Sequence, residues 1–142
     1  MIRKENIILT EEKVEQLNSL KLETIKAKEI LELAIKTWSQ HGVKVANCQY
    51  GISIKDCEIV YYEFSDSFQG CCLIGAASIG KNIEWMGNDR AICKSLLNLT
   101  DEESFEIQNV FDYVKTPDSP LGEDVRKIRD IVFNNEDSKT NP

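Results

Sequence analysis

Histidine is almost missing from this sequence, with His41 the only one present. Histidine carries much of the general acid–base work and metal ligation done near neutral pH. Catalytic dyads, triads and imidazole metal sites would all depend on this single ring. There is no His-Glu-x-x-His, and Cys48, Cys57, Cys71, Cys72 and Cys93 include no Cys-x₂₋₄-Cys pair with the spacing of a zinc knuckle. No metal site and no cofactor is expected. Long apolar runs are missing too. Nothing approaches the ~18 apolar residues of a membrane span, and the N-terminal MIRKENIILTEEK has no apolar region of signal-peptide length. The expectation is a cytoplasmic chain, off the membrane, whose odd set of thiols is reduced and packs as small hydrophobes.

Positive charge is also in deficit: 17 Lys and Arg face 24 Asp and Glu, for a net charge of −7. Nucleic-acid affinity comes largely from Lys and Arg displacing counterions, so direct DNA or RNA binding is not expected. The deficit is uneven. Residues 100–142 carry five basic side chains against eleven acids, and therefore −6 of the total. A partner with a basic surface fits that field.

The remaining composition is ordinary, with 42% hydrophobic and 29% charged residues in a chain of 142, the size of one domain. The pattern predicts a mainly α fold, a single compact domain of about five helices, with a small β-hairpin or ordered loop near residues 49–64. An N-terminal arm covers residues 1–9, the helical domain 10–133, and a disordered polar tail 134–142.

Thr10 is placed as an N-cap, with Glu11 and Glu12 at the positive end of the helix it starts. Val14, Leu17 and Leu20 form an apolar stripe, followed by Ile25. Ile30 or Leu31, Ala34, Ile35 and Trp38 then recur at helical spacing. The stripe changes phase near 18–22, which predicts a break there. Gly42 is the expected stop. In residues 49–64, Tyr50, Ile52 and Ile54 alternate before the β-prone EIVYYEF. This stretch reads as a hairpin, or as a loop laying Tyr61, Tyr62 and Phe64 over the helices.

Residues 71–80, CCLIGAASIG, are apolar on every side, as a buried helix is. Gly75, Ala76, Ala77 and Ser78 have little side chain and would let another backbone come close. Gly80 is read as the C-terminal cap. Further on, Ile92, Leu96 and Leu99 share one face. Thr100-Asp-Glu-Glu103 forms a capping box, and Ile107, Val110, Phe111 and Val114 mark the buried side of the next helix. Ser119-Pro120 starts the last helix, with Leu121, Val125, Ile128 and Val132 inward.

Three apparent motifs point to chemistry. Gly75-Ala-Ala-Ser-Ile-Gly80-Lys81 approaches a P-loop, but Asn82 stands where Ser or Thr would hold Mg²⁺, its glycines flank a helix-like apolar segment, and no acidic metal-binding strand follows. Cys71 or Cys72 at a helix start could serve as a thiolate nucleophile with His41 as base. Adjacent thiols in an apolar run are more simply core residues. The acids Asp101, Glu102, Glu103 and Glu106 could meet a basic protein, although the helix dipole alone explains acids in a first turn. Trp85, beside Met86 in a connector, is the better of the two tryptophans for an exposed protein contact. Trp38 lies on the apolar stripe and belongs in the core.

Cys72-Leu-Ile-Gly75-Ala76, then Ala91 and Leu96, Leu97-Asn-Leu-Thr-Asp-Glu-Glu103 and Phe111-Asp112 resemble a loose group of small bacterial and phage proteins. In that group a Cys-x-x-Gly-Ala helix precedes a Leu-Gly-Leu-Thr-x-x-Glu helix. The resemblance covers about residues 70–113. It implies a helical core in which Cys72, Gly75 and Ala76 are packing positions, and it carries over no catalytic residue. Asn98 replaces the group's usual Gly, a change Asn accommodates because it also tolerates the left-handed conformation.

The reading favoured by these residues is a non-catalytic protein-binding module, an acidic inhibitor or immunity-type protein of phage or mobile-element kind. Asp101, Glu102, Glu103, Glu106 and Trp85 would contact the partner. The alternatives are a small cysteine-dependent enzyme or redox protein using Cys71 or Cys72, a small-ligand binder with its pocket beside Gly75, and a homodimer formed through the N-terminal helix.

Overall fold

The structure is a computed structural model, which describes residues 6–40, 44–46, 70–81, 90–113 and 115–140. The domain is compact and mainly α-helical, with six α-helices among the described residues: α1 (Glu11–Asn18), α2 (Ile25–Ile35), α3 (Leu73–Lys81), α4 (Arg90–Leu97), α5 (Asp101–Tyr113) and α6 (Pro120–Thr140). A π-helical turn, Lys36–Gln40, prolongs α2. Three very short strands, β1 (Asn6–Ile7), β2 (Lys44–Ala46) and β3 (Gly70–Cys71), form one sheet. In it β1 pairs antiparallel to β2, and β2 pairs parallel to β3. Residues 49–64, for which a hairpin or loop is expected, lie outside the described residues, as do His41, Gly42 and Trp85.

The predicted break in the first apolar stripe is present. Thr10 caps α1 by accepting from the Lys13 N–H at 3.2 Å, and α1 ends at Asn18 with Ser19 as its C-cap. Thr24 then caps α2, accepting from the Ala27 N–H at 3.3 Å. Each cap satisfies one of the amides that a helix start leaves without an intrahelical partner.

α3 is the centre of the domain. Cys72, Leu73, Ile74, Ala76, Ala77, Ser78, Ile79 and Gly80 are all buried, and α2 packs along it. Small side chains permit this approach, as expected, and the tightest point is at Gly80. A β-carbon on Gly80 would lie 2.9 Å from the Leu33 carbonyl carbon and 3.2 Å from its Cα, with the Leu33 oxygen closer still. Gly80 is therefore a packing position inside the helix, since α3 continues to Lys81. That revises the reading of Gly80 as the C-cap. The Thr37 hydroxyl, fully buried in the π turn, donates to the Ala76 carbonyl at 2.6 Å and fastens the same pair of elements.

Around α3 the predicted inward residues are buried: Ala34 and Trp38, Ile107, Val110 and Phe111, then Leu121, Val125, Ile128 and Val132. Trp38 stacks on Phe111 with ring centroids 6.3 Å apart, and Phe111 meets Phe133 at 5.5 Å. Such pairs add a geometric preference to the burial of area. The α4–α5 junction follows its sequence closely. Asn98 takes φ 56°, with Leu99 N–H donating to Lys94 O at 2.9 Å and Asn98 N–H to Ser95 O at 3.2 Å, the pair of bonds that closes a Schellman end. Thr100 and Glu103 then exchange the two capping-box bonds at 2.9 and 3.0 Å.

Two buried polar ties join distant parts of the chain. Lys13 on α1 is 4% exposed, and its ammonium donates to the Val132 carbonyl on α6 at 2.7 Å. Asp124 on α6 is fully buried and accepts from Glu23 N, Thr24 N and the Thr24 hydroxyl at 2.7–3.1 Å. A carboxylate taken out of water needs such donors, and here it holds the α1–α2 linker against α6. α6 continues to Thr140, through residues the sequence reading assigns to a tail.

Candidate protein-binding groove

The α1–α2 linker is short, and Asp124 fixes its last residues. A concavity lies where α1, the linker and α2 meet. Leu17, Leu20, Leu22, Ile25, Leu31 and Ile35 line an open groove of about 320 Å³. Asn18, Lys28, Glu29 and Glu32 complete its wall. Helical spacing explains the α2 side: residues 25, 28 or 29, 32 and 35 fall on one face, while Ala27, Ile30 and Ala34 point to the core. Ile25, which the apolar stripe assigns inward, is instead 72% exposed. The phase change that breaks the helix at the linker also rotates Ile25 outward.

Chemically the groove offers apolar surface with a charged lip. Glu29 and Glu32 are exposed, and neither side chain makes a hydrogen bond or ion pair among the described residues. Among the described residues lining the groove there is no histidine, cysteine, serine or threonine.

The acids singled out in the sequence are placed differently. Asp101 pairs with Lys94. Glu103 closes the capping box and lies 4.0 Å from the Lys26 ammonium. Glu106 accepts from Asp118 N at 2.6 Å and from the Ser119 hydroxyl at 3.2 Å, staying at the turn before α6. Glu102 alone of the four is exposed without a partner among the described residues. α6 carries a further closed set, in which Arg126 bonds Glu123 at 3.1 Å and Asp130 at 3.0 Å. The Glu123 hydrogen bond is the main reason the Arg126 pKa is raised. Much of the acidity in this third of the chain is therefore engaged within the fold. Beside these acids Phe105 is 57% exposed. It falls off the Ile107, Val110, Phe111 stripe, which is the sequence signal that could have identified it.

Cys72 is 4% exposed in the core. Among the described residues no group of three or more His, Cys, Asp or Glu could hold a metal ion, and no helix is long and apolar enough to cross a membrane. No protein-family model matches the chain, nor does any curated protein or solved structure.

Proposed function

We propose that this protein is a non-catalytic protein-binding module that engages its partner through the groove at the α1–α2 corner. The observation carrying the reading is Ile25, a large apolar side chain left 72% exposed on the lip of a concave apolar surface. Burying such a side chain against a partner stabilises a complex by about 1.5–3 kcal/mol, an anchor of hot-spot size. The groove's volume is at the low end of the ~300–1,000 Å³ of small-molecule pockets. Its open form suits a side chain arriving from a partner better than a ligand that must be mostly enclosed. The buried Cys72 supports packing over chemistry for that thiol. Two acids against one lysine among the described residues lining the groove suit a partner with a basic surface. The finer version is an acidic inhibitor or immunity-type protein of phage or mobile-element kind, acting in the cytoplasm. The resemblance over residues 70–113 belongs to that version.

The test is comparative affinity capture from the source cells with the native protein and an Ile25→Asp variant as baits. Ile25 is the first residue of α2, where an acid suits the helix dipole, so the variant should fold. A protein retained by the native bait and lost by the variant supports the reading. Identical captures by both baits would sink it.

A further inference from the structure

We infer that the groove's partner presents a cationic amphipathic helix, with apolar side chains seated on Leu20, Leu22, Ile25 and Ile35 and Lys or Arg paired to Glu29 and Glu32. This rests on the protein-binding reading above and names the chemistry of the occupant. Charge placement carries the argument. Asp101, Glu103, Glu106, Glu123, Asp124 and Asp130 are committed to caps and pairs within the fold. Glu29 and Glu32 line the groove and make no such bond among the described residues. Unspent negative charge thus lies beside exposed apolar surface, and complementarity at such a lip favours a cation carried next to an apolar anchor. Lys28 is the one cation among the described residues lining the groove, and it does not offset both carboxylates. The α2 side of the groove runs from Ile25 to Ile35, about 15 Å at 1.5 Å per residue. That length accepts roughly three turns of helix with anchors at i, i+3 or i+4 and i+7, the helix-in-groove mode of recognition.

The probe is a synthetic amphipathic peptide of about four turns, Leu on one face and Lys on the other. A second peptide carries Glu in place of Lys. Binding is followed by NMR shift mapping on the full-length protein and by fluorescence anisotropy. The account expects shifts centred on Leu20, Leu22, Ile25 and Ile35, and no binding of the Glu peptide. The double variant Glu29→Lys/Glu32→Lys, both at exposed positions, should weaken the Lys peptide about tenfold or more. Reversing Asp101 and Glu102 should change it less than about twofold, as expected for acids outside the contact. Three results would overturn the inference: shifts centred on α5, equal losses from both charge reversals, or no binding of the Lys peptide. A native partner captured in an Ile25-dependent way would still uphold protein binding if the peptide failed, so the two readings can fail separately.

Discussion

Replacing Gly80 by Ala sets two effects of opposite sign against each other. Gly80 lies inside α3, where Ala should be about 1 kcal/mol better than Gly by helix propensity alone. The added methyl, however, would meet the Leu33 carbonyl carbon at 2.9 Å, whereas ordinary contact begins at 3.4 Å. The obstructing atoms are backbone, so no rotamer change removes them. α2 and α3 must separate by about half an ångström or more, and that strains Thr37 Oγ1, which reaches the Ala76 carbonyl across the same interface. Overpacking of a well-packed core costs about 1–3 kcal/mol. A contact between two backbones falls at the upper end, leaving a net loss of about 2 kcal/mol after the propensity gain. Urea unfolding followed by circular dichroism reads this directly. With an m-value of about 2 kcal/mol/M, the midpoint should fall by about 1 M. A midpoint that stays put or rises would show that propensity wins, and that the close α2–α3 approach is not a constraint.

Other perturbations follow from the same ties. Asp124→Asn places an NH₂ among the donors of Glu23 and Thr24, and losing charge-assisted bonds at a buried site should cost about 3 kcal/mol. Thermal unfolding should then shift down by roughly 10 °C, and an unchanged melting point would remove Asp124 as the tie between α6 and the linker. Thr100→Ala opens the capping box and should cost about 1 kcal/mol, while Glu102→Gln, at an exposed position, should stay within about 0.5 kcal/mol. Chemical denaturation of the two variants side by side checks that contrast, and equal effects would contradict it. In a Cys71→Ser background, mass-mapped alkylation of Cys72 should proceed only as fast as the protein opens. Rapid alkylation of the native fold would show that the thiol is accessible and reopen the catalytic alternative.

Local signals in the sequence carried far. The Thr100–Glu103 capping box, the Asn98 turn, the break after α1 and the apolar faces of α5 and α6 depend on residues within a few positions of each other, and each reappears in the structure. The all-round apolar character of residues 71–80 marked the buried helix, because no face of it was polar enough for solvent, but the helix starts only at Leu73 and Cys71 belongs to β3. Non-local features were not legible. Asp124 meets residues 100 positions away, and the three short strands pair segments that are distant in sequence, with too few residues to show an alternating pattern. Gly80 looked like a cap because Gly favours helix ends, and only the proximity of Leu33 reveals its other role. The groove escaped notice for a related reason. Ile25 continues an apolar stripe on paper, yet it is exposed beside Thr24, which Asp124 holds from 100 positions away.

The central physical claim is that α3 forms the dry centre of the fold, so recognition is left to the outer helices. Native-state hydrogen exchange on its amides tests this most directly. The amides of Ala77 to Lys81, within α3, should exchange only through global unfolding, with the free energy and denaturant dependence measured for the whole domain. Exchange through local openings several kcal/mol below that limit would contradict the claim and place α3 among the mobile parts of the protein.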